Sequence, residues 1–173
     1  MRIFIAIEVS EEAAKELKRV QEKLEQKGVR FPDKYHLTLK FLGDLEEDRI
    51  ESLIKNLEKI EFKQFELSLA DLDVIQPDFI RVVHANVKPL AELLKLGELV
   101  DNATAGVSRD HMFKPHITVA RVKFVEDKKE FIEKVKSIKL NPIAFKVKKF
   151  ELLKSTLTKE GPIHEIIKSF PLS

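Results

Sequence analysis

The 173-residue chain aligns with itself when shifted by 80 positions. An internal repeat constrains the fold more tightly than composition can. "HLTLKFLG", starting at His36, falls over "HITVARVK", starting at His116, so both read His, apolar, Thr, apolar. The agreement extends beyond the motif. "EEDRIESLIKNLEKI", ending at Ile60, falls near "EDKKEFIEKVKSI", ending at Ile138. Each carries apolar residues at helical spacing: Ile50, Leu53, Ile54 and Leu57 in the first, Phe131, Ile132 and Val135 in the second. Strand-like runs follow both, from Phe65 and from Phe145. Upstream, "IFIAIEV" precedes a helix that Ser10 can cap ahead of an acidic first turn. "FIRVVHANV" precedes a helix expected to open at Pro89. Each half therefore reads strand, helix, motif strand, helix, strand. "TLTKEGPIHEIIKSFPL" adds a Gly161-Pro162 turn and a last short helix or strand.

Two similar halves predict a pseudo-twofold axis, with two His-x-Thr faces turned toward a shared cleft. No stretch is rich enough in Pro, Gly or Ser to be a flexible linker, so the halves are expected to be lobes of one domain, residues 1–173, with motifs at 36–39 and 116–119. The loops 26–35 and 102–115 precede the motifs and are expected to rim the cleft with Arg30, Lys34, Arg109 and Lys114.

The 31 basic and 29 acidic residues nearly cancel, so any nucleic-acid contact must come from a local cluster. With no cysteine, disulfides, thiolate nucleophiles and thiolate metal sites are excluded. No apolar run approaches the roughly 20 residues needed to span a bilayer. The opening "MRIFIAIEV" reads as a first strand and not as a signal peptide, so a cytoplasmic location is expected. Abundant Lys and Glu, with four Asn and four Gln, lean toward a heat-adapted protein.

Strand side chains alternate, so His36, Thr38 and Lys40 are expected on one face, with Leu37, Leu39 and Phe41 on the other, in the core. Histidine, with an ordinary pKa of about 6.5, gives or takes a proton near neutrality. A pair can hold one ring as base and the other as acid, which in-line displacement at a phosphodiester requires. Threonine hydroxyls two residues on can donate to non-bridging phosphate oxygens. There is no P-loop or dinucleotide fingerprint and no G-x-S-x-G elbow. Neither motif carries the carboxylate or third imidazole that would complete a metal site, so no metal and no cofactor are expected.

"HLTLKFLG" and "FKPHITVAR", with "MRIFIAI" at the start and "GPIHEIIKSFPL" at the end, resemble the two-histidine phosphoesterase superfamily, and within it the RNA 2′,3′-cyclic phosphodiesterases historically named 2′-5′ RNA ligases. The resemblance implies a bilobal, duplicated α+β fold, with antiparallel sheets lining a central cleft and helices outside. It implies metal-independent hydrolysis of RNA 2′,3′-cyclic phosphate ends to 2′-phosphates. A 2′-5′ ligase running the reverse reaction and a non-catalytic RNA-end-binding module are the alternatives. Implied partners are RNA with a cyclic phosphate end, such as tRNA or tRNA halves, or nucleotides, with no membrane and a monomeric state. Carried over by position, His36, Thr38, His116 and Thr118 are the catalytic set. His116 would activate water and His36 would protonate the departing 3′ oxygen, with the reverse assignment open. Arg121 resembles the family's substrate-contacting arginine, although strict alternation places it on the face of Ile117 unless the strand bulges. Lys40, Phe4, Lys114 and Arg109 complete the expected substrate-binding set, and Arg81 and Lys123 are candidates for a basic cleft. Phe113 is a candidate base stacker, while His84 and His111 are expected to be solvated. His164 and Phe31 depart from the tyrosine and tryptophan that many family members carry there.

Overall fold

The computed structural model describes residues 1–75, 81–107 and 114–173. In chain order it runs β1 (Arg2–Glu8), α1 (Glu11–Leu24), β2 (Val29–Arg30), β3 (His36–Asp44), α2 (Glu47–Glu58), β4 (Phe65–Ile75), β5 (Val82–Lys88), α3 (Ala91–Ala103), β6 (Ile117–Val122), α4 (Lys128–Ser137), β7 (Ala144–Val147), β8 (Lys149–Thr158) and β9 (Gly161–Pro171). The final segment is a strand, and Gly161 turns into it with a φ of 125°, a conformation glycine adopts without penalty. Among the described residues, no helix is long and apolar enough to cross a membrane.

The helices form where local signals predict them. Ser10 accepts a hydrogen bond from the Ala13 amide at 3.2 Å, and α1 buries Ala13, Leu17, Val20 and Leu24. Ile50, Leu53 and Leu57 are buried along α2, and Phe131 and Val135 along α4. Pro89, expected inside the first turn of α3, instead precedes its N-cap Leu90.

All strand pairs are antiparallel, in the order β7-β4-β5-β6-β3-β1-β8-β9, with β2 on the edge of β6. One lobe is β3-β1-β8-β9 and the other is β6-β5-β4-β7. They do not coincide with the two sequence repeats. Strand β4, from the first repeat, pairs with β5, whereas β8, from the second, pairs with β1. The repeats have exchanged their third strands, so each lobe is built from both repeats.

The register locates the axis. The lobes meet in the ladder at Leu37↔Ile117, and β4 meets β7 at Glu66↔Lys146. Both pairs join residues 80 apart, which are equivalents under the repeat, so the pseudo-twofold passes through each pair. Ile3, Ile5, Ile7, Leu37 and Ile117 lie at or below 1% exposure on the face packed against the helices. The opposite, concave face of the sheet carries Phe4 and Ala6 and is left for the site.

Candidate active site

Because Leu37 and Ile117 point into the core, their neighbours His36, Thr38, His116 and Thr118 point the other way, around the axis. Continuing the antiparallel register sets His36 against Thr118 and Thr38 against His116. The diagonal between the two histidine Cα positions is then roughly 8 Å, from a 3.4 Å rise per residue and a strand spacing near 4.8 Å. Two rings on such a diagonal can flank one phosphate.

Each motif strand breaks its alternation at the same place. Opposite β1, Ala6 pairs with Thr38 and Ile5 with Lys40, leaving Leu39 as an extra residue. Opposite β5, His84 pairs with Thr118 and Val83 with Ala120, leaving Val119 extra. These are β-bulges at repeat-equivalent positions, and a bulge re-aims every side chain beyond it. Lys40 therefore does not share the face of His36, contrary to simple alternation. It is 7% exposed on the helix side, with Nζ 2.5 Å from Asp101 of α3, and is not placed to meet substrate. Phe41, expected in the core, is turned out to 67% exposure beside Phe4, with ring centroids 5.9 Å apart. Ala120 is buried in place of a charge, and Arg121 is delivered to the cleft face, close enough to His36 and His164 to act on both electrostatically. The bulge resolves the conflict that alternation posed for this arginine.

The surroundings of the two histidines differ. His36 stacks at a tilt on Phe4, with centroids 5.3 Å apart, and meets His164 edge to face at 4.9 Å. His164 also touches Phe4 at 4.9 Å, so the β8–β9 hairpin must curl over the concave face to bring it there. Burial, then the neighbouring His164, then Arg121 push the His36 imidazole down to about 4. Burial, then Arg121 and Lys34, lower His164 as well. His116 is held from both sides. Its Nδ1 lies 2.7 Å from the Lys114 carbonyl, which can only accept, so Nδ1 carries the proton and Nε2 is the open nitrogen of the neutral ring.

His84, expected to be solvated, instead faces the cleft, edge to face with His116 at 5.4 Å and with its Nδ1 buried. Its pKa is lowered, first by burial and then by His116. Superposing the repeats would have exposed this position, since residue 84 falls on Phe4. Phe4 does reach the cleft face, but at 2% exposure under His36, His164 and Phe41 it has no surface left for a base. Lys114 contributes its carbonyl, and its side chain is exposed. Arg30 pairs beside Arg121 across β2 and β6. Arg109, His111 and Phe113 lie outside the described residues. Among the described residues, no group of three or more His, Asp or Glu side chains is arranged to hold a metal ion.

The profile of the family described as LigT-like phosphoesterase matches the chain twice, over residues 7–83 and 86–164, one match to each repeat. The RNA 2′,3′-cyclic phosphodiesterase of Methanocaldococcus jannaschii is 32% identical, covering 98% of this chain and 100% of the relative. That of Thermotoga maritima is 34% identical, covering 96% and 93%. The crystal structure of Escherichia coli LigT in apo form shares the fold with a TM-score of 0.81 at 23% identity, covering 99% of this chain and 97% of that one.

Proposed function

The chain belongs to the LigT-like phosphoesterase family, and from that premise we propose that it hydrolyses the 2′,3′-cyclic phosphate at an RNA 3′ end to a 2′-phosphate. The observation that carries this reading is the convergence of two His-x-Thr pairs on one cleft, with an arginine re-aimed into it by a bulge. Full-length relatives named for the same activity support it.

In this reading, Arg121, Thr38 and Thr118 donate to the non-bridging oxygens, where negative charge grows as phosphorus becomes five-coordinate. His116 Nε2 takes a proton from water as the water oxygen bonds to phosphorus. The P–O3′ bond breaks in line, and His36 delivers a proton to O3′. One water is consumed, and a 2′-phosphate and a 3′-hydroxyl result. His36 is neutral at pH 7 in the protein alone. The anionic phosphodiester offsets the repulsion from Arg121 and His164, so the proton that His36 delivers is taken up together with substrate.

The test is incubation with oligonucleotide 2′,3′-cyclic phosphates in EDTA, with product identification. A 2′-phosphate is expected; a 3′-phosphate, or binding without turnover, would overturn the reading. His36→Ala and His116→Ala should each lower kcat by about 10² to 10⁴, the usual worth of a positioned acid or base. Their far-UV circular dichroism should match the parent.

A further inference from the structure

Within the proposed phosphodiesterase reading, each motif histidine rests against a ring from the strand beyond it. Phe4 of β1 lies against His36, with centroids 5.3 Å apart, and His84 of β5 lies against His116, with centroids 5.4 Å apart and the planes at 68°. His84 stands directly opposite Thr118, so His116 is its diagonal neighbour on the same face, within the reach of an aromatic ring. The residue opposite His116 by continuation of that register is Asn86, which donates instead to Asp71 of β4 at 3.1 Å. Strand β5 lies outside β6, one strand spacing, roughly 4.8 Å, farther from the pseudo-twofold than the motif itself. A phosphate on the axis therefore meets Thr118 and His116 first, and His84 stands behind them.

We infer that His84 is a positioning residue for the base: its ring and the Lys114 carbonyl hold His116 from two sides, leaving Nε2 aimed at the attacking water. The hydrogen bond at Nδ1 selects the tautomer, but alone it leaves the imidazole free to rock about that contact. A second contact on the ring fixes its plane, and edge to face is an arrangement that aromatic pairs favour. His84 is not kept in place by hydrogen bonding at its inner nitrogen, since its Nδ1 is buried and unpaired among the described residues. It is also neutral at pH 7. Burial, then His116, lower its pKa, and together they outweigh Asp73 and Asp71 of β4 and Asn86 on its own strand, which favour the charged form. A neutral neighbour does not oppose the positive charge that His116 acquires as it takes the proton from water.

Steady-state kinetics on a nucleoside 2′,3′-cyclic phosphate separate this role from a substrate contact. His84→Ala should lower kcat about 10- to 100-fold, the cost of a reacting group left roughly 1 Å out of place, with KM nearly unchanged. His84→Phe keeps a planar ring at the same place and should restore most of the loss. A parent-like kcat in His84→Ala, a loss confined to KM, or a His84→Phe variant as slow as His84→Ala overturns the assignment. If His84→Ala does not fold, His84→Leu, which fills the volume without a planar ring, takes its place under the same criteria. Heteronuclear NMR of the His116 ring reads the same contact without turnover. The parent and His84→Phe should show one tautomer, protonated at Nδ1, and His84→Ala a mixture of the two. An unchanged single tautomer in His84→Ala overturns the positioning role. That readout decides the matter even if the parent hydrolyses no cyclic phosphate, a result that sinks the phosphodiesterase reading by itself.

Discussion

His36 is packed against Phe4 and His164, and its titration reports on the burial and charges around it. Burial is the largest cause of its low pKa, with His164 and Arg121 adding repulsion against the charged ring. Replacing His164 with asparagine removes one repulsive partner and leaves the burial. The His36 midpoint should therefore rise from about 4 but stay below the ordinary 6.5. Histidine NMR titrations of the parent and His164→Asn measure this directly, and a midpoint that does not move would show that the edge-to-face contact carries no electrostatic coupling. Adding a nucleoside 2′-phosphate should raise the same midpoint, because an anion between His36 and Arg121 reverses the sign of the local field.

At the scale of elements, the bulges at Leu39 and Val119 do the positioning, and they mark where sequence reasoning stops. Strand and helix identities, the repeat and the two His-x-Thr pairs are legible because each rests on a period or a motif. A bulge rests on one unpaired residue, and neither Leu39 nor Val119 differs from an ordinary strand residue. The sides taken by Lys40, Phe41 and Arg121 were therefore not readable from alternation, although the aligned repeats did require whatever happened to Lys40 and Phe41 to happen to Ala120 and Arg121. His84 was legible in principle by the same superposition. His164 was not, since β9 has no counterpart in the first repeat and only the curl of the hairpin brings it to the cleft. The two-residue strand β2 is also an element-scale device. It pairs Arg30 with Arg121, and it enters that pairing through Gly28, which has a φ of 88° and whose carbonyl accepts a hydrogen bond from the Lys123 amide at 2.7 Å. A Cβ on Gly28 would lie 2.2 Å from the Phe124 carbonyl oxygen, a contact that only movement of β2 or of the end of β6 can relieve. Gly28→Ala should destabilise the fold by about 1 to 3 kcal/mol, the range for a non-glycine residue forced into such a conformation. It should also raise KM for cyclic phosphate substrates by loosening Arg121. Chemical denaturation and steady-state kinetics test the two effects, and a variant with parent-like stability would show that β2 is not anchored there.

For the whole molecule, exchange of the third strands makes the cleft and the core one cooperative unit, so strain placed in the site is felt by global stability. Three cleft histidines, His36, His84 and His164, have pKa values lowered below 6.5 in the folded protein. An unfolded chain binds protons at these rings near pH 6.5, whereas the native state resists until lower pH. Stability is therefore full above about pH 6.5 and falls as the solution is acidified toward pH 4. For His36 alone, a drop from 6.5 to about 4 corresponds to up to about 3 kcal/mol. That is a large share of the 5 to 15 kcal/mol typical of a domain. Glu16 adds a later stage, since its carboxyl is held low first by Arg19, and that contribution is lost only as pH falls below the ordinary glutamate value of 4.5. Urea midpoints at pH 7.5, 6.0 and 5.0 should decline steadily, with a shallower decline in His36→Asn. An anion in the cleft favours the protonated rings, so phosphate or a nucleoside 2′-phosphate should raise the midpoint more at pH 5.0 than at pH 7.5. Equal stabilisation at both pH values would mean that the histidines do not share the anion's site, and the coupling of catalysis to fold stability would have to be abandoned.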